Sequence, residues 1–233
     1  MKYKPATHNR IKHCLSHMLT VAIQRGHLKG PNLVSQVPSL RENNQVVRYL
    51  SHEELSRLRY ALAKSRSKLL LYFVEISIAT GARYSELLNL KWVDVDLSRA
   101  VCVLRNTKNG KDRYLPLSNV ALSYFYSLKA ISNPESSVYC FTHPRTGRQM
   151  KSFKSSWKRA CENAGLNPFR FHDLRHTFAS ALVQSGVPIY EVKELLGHSS
   201  VVTTQRYAHL SQDRLRHAVE RGAQYWEPTF SEQ

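Results

Sequence analysis

The chain has 233 residues, with 34 Lys plus Arg against 17 Asp plus Glu and a formal net charge of +17 with histidines neutral. At roughly 100–200 residues per domain this is one full domain and a partial second. A hydrophobic content of 42% with only 9 Gly and 9 Pro excludes a disordered or collagen-like chain, while the charge excess draws polyanions in a salt-sensitive way, which makes nucleic acid the first partner class to consider.

No apolar run approaches the ~18 residues that span a bilayer, and the first ten residues, MKYKPATHNR, have no hydrophobic stretch behind their positive charge. A cytoplasmic protein is expected. The 4 cysteines, Cys14, Cys102, Cys140 and Cys161, show no C-x-x-C spacing, so they read as reduced thiols rather than a zinc ribbon or a disulfide framework. The basic residues are spread through a patterned sequence instead of gathered on one amphipathic segment, which argues against a membrane surface.

Residues 9–26 carry Leu15, Met18, Leu19, Ala22 and Ile23 at the spacing of an amphipathic helix. Residues 27–50 are rich in Gly, Pro, Asn and Ser without periodicity and read as a connector. At Ser51 the serine and Glu54, three residues on, form a capping box, so the main domain is expected to begin there. Residues 68–79 are apolar nearly all round, as a helix buried in a domain centre would be, and Gly81 ends it. A second helix is expected at about 84–90. Residues 100–117 switch to strand-like composition around Asn109-Gly110, which favours the tight turn of a β-hairpin, with Lys108 at that turn. Arg145, Arg148, Lys151, Lys154, Lys158 and Arg159 then follow with no acidic residue between them. Such a run is either a solvated face or a phosphate contact.

In 171–185 the apolar Phe171, Leu174, Phe178, Ala181 and Leu182 trace one helix face, while His172 and Arg175 share another. Gly186 ends that helix and Pro188 suits the first turn of the next. Ile189, Val192, Leu195 and Leu196 repeat the helical spacing until Gly197, which presents His198 just beyond a helix end. Residues 201–221 read as further helix around Tyr207. The fold class is mainly α with a small antiparallel β-sheet.

A phosphodiester under nucleophilic attack gathers negative charge on its oxygens, so a catalyst needs fixed cations there more than a metal. Arginine keeps its charge and holds two phosphate oxygens at once. Arg83, where a buried helix breaks at Gly81, and Arg175, beside His172, are the natural pair. His172 and His198 can move protons near neutral pH or donate to an oxyanion. Lys108 can reach a leaving oxygen, although a lysine beside Asn-Gly is also an ordinary turn residue. Tyr207, with a phenol pKa ordinarily about 10, needs neighbouring cations or a base to become a nucleophile.

The runs FHDLRHTFAS at 171–180, LLGHSS at 195–200 and TTQRYAH at 203–209 resemble the C-terminal signature of the tyrosine recombinases, the phage integrase family. TGARYSELLNL at 80–90 resembles that family's first arginine motif and TKNGK at 107–111 its lysine hairpin, all in the family's order. The likeness covers about 51–210. It implies the tyrosine recombinase catalytic-domain architecture, with Arg83 and Arg175 gripping a scissile DNA phosphate while Tyr207 attacks it to leave a 3′-phosphotyrosine and a 5′-hydroxyl. By the same resemblance His172 assists proton transfer from the tyrosine, Lys108 protonates the departing oxygen, His198 donates a hydrogen bond to the phosphate and Glu86 supports the site. No metal, ATP or other cofactor is required, because the covalent intermediate keeps the energy of the broken bond.

Double-stranded DNA is the implied partner, with Arg105, Lys111, Arg113 and the 145–159 run as backbone contacts. The resemblance also implies a homo-oligomer, a tetramer on DNA, joined through a tail at 211–225, with DNA-bending accessory proteins and a nucleoid-associated location. The expected organisation is a remnant of an N-terminal core-binding domain plus linker over 1–50, a catalytic domain with its tail over 51–225, and a disordered end over 226–233. Two other readings compete. His172 and His176 lie i, i+4 on one helix, the spacing of two zinc ligands, but the glutamate of that motif and a third ligand are missing. A non-catalytic or truncated DNA-binding relative of the same fold is the second.

Overall fold

The computed structural model describes residues 3–42, 47–105, 110, 112–132, 137–166, 168–211, 219, 220, 222 and 223. The chain divides between residues 46 and 47 into two units. The first holds α1, Pro5–Gln24, opened by a proline in its first turn, and a 3₁₀ turn at Leu33–Gln36. Here the connector is fixed by side-chain amides. Asn9, buried, donates to Leu40 O at 2.8 Å and accepts from Leu40 N at 2.8 Å, and Asn32 donates to Ser16 O and Thr20 Oγ1 at 2.8 and 2.9 Å. Such bonds satisfy backbone groups that an irregular segment otherwise leaves to water. Of the expected apolar stripe on α1, Leu15 and Met18 are exposed.

The second unit starts at Val47, and its first helix is opened by the capping box. Glu54 N donates to Ser51 Oγ at 3.1 Å and Ser51 N donates to Glu54 Oε2 at 3.0 Å, starting α2, His52–Ala63. Helix α3, Lys68–Thr80, is buried on nearly all sides and packs against α2 and three later helices. Its one buried charge, Glu75, takes a two-pronged contact from Arg59 at 2.8 and 2.9 Å. Gly81 closes α3 in the left-handed conformation, φ 62°. Helix α4, Tyr84–Leu88, follows at once.

Three short antiparallel strands come next in the order β1, Val95–Asp96, β2, Val101–Leu104, and β3, Arg113–Pro116. Cys102 pairs with Leu115 and Leu104 with Arg113. Side chains alternate along β3, so Arg113 and Leu115 face inward while Tyr114 is exposed. Helix α5, Asn119–Ile131, capped by Ser118, and α6, Lys154–Asn163, complete the shell. Phe73 of α3 sits at the centre of the larger core, its ring 4.6–5.3 Å from those of Tyr84, Phe141, Phe153 and Phe171. Aromatic pairs at such spacing add about 0.5–1.5 kcal/mol each beyond burial.

Helix α7, His172–Ser185, and α8, Ile189–Leu196, enclose a smaller second core of Ala179, Val183, Val192, Leu196 and Tyr207. Two expectations change here. The sequence pattern predicts one apolar face on α7, yet Ala181 is exposed while Asp173, Arg175, His176, Thr177 and Ser180 of the polar side are buried. Within the helix expected over 201–221, residues 201–211 form 3₁₀ turns instead, at Val201–Thr203 and Gln205–Ser211, while residues 219 and 220 are helical. The run Val201, Val202, Thr203, Thr204 is β-branched throughout, which restricts side-chain rotamers in an α-helix. Ser200 instead caps the first turn by accepting from Val202 N at 3.2 Å. Residues 212–218 lie outside the described residues.

Candidate active site

Helix ends gather the arginines. The last carbonyls of an α-helix have no partner within it and form the negative end of its dipole. Arg175 on α7 donates through Nη1 to Gly81 O at the end of α3, at 2.8 Å, and through Nη2 to Leu196 O at the end of α8. Arg113 donates to Leu195 O and Arg83 to Gly197 O, the latter at 3.4 Å. Three guanidinium groups from α7, β3 and the α3–α4 junction thus converge on the ends of two helices.

One carboxylate organises the cluster. Glu86 accepts from the Arg83 backbone N–H at 2.8 Å, from Arg83 Nη1 at 2.6 Å and from Arg113 Nη2 at 2.9 Å. Burial opposes the charge on Glu86, but these bonds and the two arginines win and hold its carboxyl below the usual range. One carboxylate against Arg83, Arg113 and Arg175 leaves the pocket two charges positive. Burial, then Arg83 and Arg113, push Arg175 down to about 9. A guanidinium stays charged at neutral pH, so this is a pocket that gains from an anion with several acceptor oxygens.

His198, just past α8, shares a 2.8 Å hydrogen bond between Nδ1 and Thr204 Oγ1. Burial first, then the Arg175 and Arg83 charges, push it down to about 3, so it is neutral near pH 7. His172 is exposed on one side, and partial burial and Arg175 hold it below the usual histidine range. Tyr207 is 1% exposed, packed in the smaller core. Its hydroxyl pairs with His176 Nδ1 at 2.5 Å, and burial pushes the phenol up to about 12 against the opposing pull of Arg175 and Arg206. Arg83, Glu86, Arg175 and His198 are therefore brought together, and the field of Arg175 reaches Tyr207.

Lys108 and Lys111 lie outside the described residues. Arg113, expected as a DNA-backbone contact, is only 9% exposed and belongs to the arginine cluster. The reason is register: Arg113 shares parity with the buried Leu115 and Leu117, a signal readable in the sequence. Arg105 is exposed and paired with Asp94 at 2.5 Å and Asp112 at 3.3 Å. Arg145, Arg148, Lys151, Lys154, Lys158 and Arg159 are all exposed. His176 enters the sequence reading only as half of a zinc-like pair, and its contact with Tyr207 spans 31 positions, beyond any helical spacing. Among the described residues no three His, Cys, Asp or Glu side chains gather as a metal site, and no helix there is long and apolar enough to cross a membrane.

The sequence profile of the phage integrase family matches residues 48–214. The chain is 32% identical over 198 residues to the tyrosine recombinase XerA of Pyrococcus horikoshii, covering 83% of this chain and 65% of that protein. The catalytic domain of bacteriophage HP1 integrase superposes with a TM-score of 0.59 at 30% identity, covering 75% of this chain and 95% of that domain. A lambda integrase dimer bound to a COC′ core site shares the fold, with a TM-score of 0.71 at 24% identity over 91% of this chain and 75% of that one. The chain spans 46–66% of the length of the first three curated relatives it matches. Over residues 48–214, which include the arginine cluster, His198 and Tyr207, the chain belongs to the phage integrase family.

Proposed function

We propose that the chain cuts and rejoins double-stranded DNA at specific sites through a 3′-phosphotyrosine on Tyr207, without metal or ATP. The carrying observation is the convergence of Arg83, Arg175 and His198 on one positive pocket with Tyr207 within the field of Arg175. In this reading Arg83 and Arg175 hold the non-bridging oxygens of the scissile phosphate, and His198, whose Nδ1 is engaged by Thr204, donates from Nε2. The Tyr207 oxygen bonds to phosphorus, the bond to the 5′ oxygen breaks, and that oxygen takes a proton, by the family resemblance from Lys108. A 5′-hydroxyl attacking the phosphotyrosine reverses these steps and joins the strands. Relatives whose names are recombinase and integrase, and the DNA-bound lambda integrase, support the DNA substrate. Assembly as a homo-oligomer, a tetramer on DNA, with DNA-bending accessory proteins at the nucleoid in the cytoplasm, belongs to the same proposal.

The test is capture of the intermediate. The protein is incubated, with chelator, with a pool of duplexes of randomised sequence, nicked so that the short 5′-hydroxyl piece diffuses away after cleavage. A detergent-resistant protein–DNA adduct is expected, and Tyr207→Phe abolishes it while leaving DNA binding intact. Adduct persisting in Tyr207→Phe refutes the nucleophile, and DNA binding without any adduct from the unsubstituted protein identifies a non-catalytic relative.

A further inference from the structure

We propose that Arg113 is a positioning residue of the phosphate pocket: fastened to the end of α8, its guanidinium keeps the Glu86 carboxylate charged and in place, and that carboxylate in turn holds Arg83 toward the scissile phosphate. The inference rests on the recombination reading above and gives a part to a buried arginine which that reading leaves without one. Its basis is how three charged side chains are joined. The Arg83 side chain is 21% exposed and the Glu86 side chain 5%. Glu86 Oε1 accepts from Arg83 Nη1 at 2.6 Å, while Oε2 accepts from the Arg83 backbone N–H at 2.8 Å and from Arg113 Nη2 at 2.9 Å. Arg113 is itself fixed from two sides. Its backbone sits in register opposite Leu104 of β2, and its Nη1 donates to Leu195 O. Its stem lies against Gly197, where a Cβ would meet Arg113 Cδ at 2.8 Å and Nε at 3.1 Å. The half-exposed arginine is therefore the one able to meet DNA, and the buried one braces the carboxylate that holds it.

The electrostatics of the pocket make this brace matter. Burial is the largest influence on Glu86 and acts to raise it; the Arg83 backbone N–H and then the Arg113 charge are the largest influences against burial. The charged and titratable groups around Glu86 are Arg83 at the α3–α4 junction, Arg113 on β3, Arg175 on α7 and Cys102 on β2. Burial pushes the Cys102 thiol up to about 12, so it is neutral, and burial lowers Arg113 without discharging its guanidinium. Without Arg113, burial is opposed by Arg83 and Arg175 alone, and Glu86 takes up a proton at higher pH than before. A protonated carboxyl has one oxygen that donates instead of accepting, so Arg83 loses part of its two-point hold. The sign follows: the protonated fraction shrinks as pH rises, so loss of Arg113 is most damaging at low pH.

The experiment uses the full chain and the duplexes recovered from the adduct capture above. Adduct formation is timed from about pH 5.5 to 9, the range into which a buried carboxyl rises when it loses a charge partner. Arg113→Met keeps the stem and removes the charge. It is expected to slow the reaction about 10- to 100-fold relative to the unsubstituted chain at the acid end and progressively less as pH rises, with DNA affinity changed less than about 3-fold. Arg113→Lys restores a cation beside Glu86, and it is expected to recover roughly 10-fold of the loss and to remove the pH dependence of the ratio. In a Glu86→Gln background, which has nothing left to titrate, Arg113→Met is expected to cost less than about 3-fold more, at every pH. Arg113→Gln carries the same tests should the methionine variant fail to fold. A residue that merely supports the fold gives a deficit of one size across the pH range. That result, an unsubstituted rate in Arg113→Met, a lysine variant as slow as the methionine one, or a full further loss in the Glu86→Gln background overturns the proposal while the recombinase reading stands. Absence of any adduct from the unsubstituted chain overturns both.

Discussion

Gly81→Ala tests whether the junction of α3 and α4 is as tightly built as its geometry indicates. Gly81 has φ 62°, and a Cβ there meets the Phe178 ring at 2.2, 2.8 and 3.0 Å. Two costs follow. Holding an L-residue in the left-handed region costs about 1–2 kcal/mol, and overpacking a core adds about 1–3 kcal/mol, giving roughly 2–5 kcal/mol together. Gly165→Ala isolates the first cost, because Gly165 has φ 65° and nothing within 4 Å of the added methyl. Chemical denaturation of Gly81→Ala, Gly165→Ala and the double variant Gly81→Ala with Phe178→Leu separates the contributions. The double variant is expected to regain much of the packing cost and none of the conformational cost. Because Gly81 O also accepts from Arg175, adduct formation is expected to fall in Gly81→Ala and to stay normal in Gly165→Ala. A Gly81→Ala protein within about 0.5 kcal/mol of the unsubstituted one, the range of a surface change, refutes the close approach.

Three further outcomes are expected. Arg83→Lys and Arg175→Lys each cut the rate of adduct formation about 100-fold or more, since an ammonium cannot reproduce the two-pronged contact; quench-flow rates near normal remove either arginine from the site. His176 and His198 titrate at about 4 and 3 in the folded protein, below the ordinary 6.5. The unfolded chain therefore binds more protons, and stability falls as pH drops from about 6.5 toward these values. Glu86, also depressed, contributes stability above its ordinary pKa of 4.5 that is lost below it. Urea midpoints measured across this window are expected to decline, with a shallower slope in His198→Asn, and a flat profile contradicts the burial of these groups. Finally, replacing exposed Arg145, Arg148 and Lys151 by Gln is expected to reduce the slope of log affinity against log salt by about 0.9 for each DNA phosphate no longer neutralised, and an unchanged slope assigns that run to bulk solvent.

The candidate site was legible to different depths. Arg83, Arg175, His198 and Tyr207 could be picked out because each stands in a motif whose order resembles a family. Arg113 had a readable signal, since strand alternation puts it with Leu115 and Leu117, but a basic residue beside a hairpin invites the surface reading. His176 was named for its spacing to His172, which is a property of one helix. Its contact with Tyr207 arises only when the segment after α8 folds back across α7.

The sequence by itself determined what is encoded over a few residues: the capping box of Ser51 and Glu54, the buried character of α3, and the helix ends at Gly81, Gly186 and Gly197. These depend on local hydrogen bonds and on glycine's access to positive φ, so neighbours in the chain suffice. Tertiary structure alone decided that the unpaired carbonyls ending α3 and α8 would meet and hold arginines from three different elements, that Glu86 would join two of them, and that a phenol would rest against His176. Those contacts span from 21 to 114 positions, apart from the local Glu86 pairing with Arg83. Whether a polar side chain is solvated or enclosed in such a cluster depends on which surfaces the packed helices bring together, and periodicity within one helix carries no record of that.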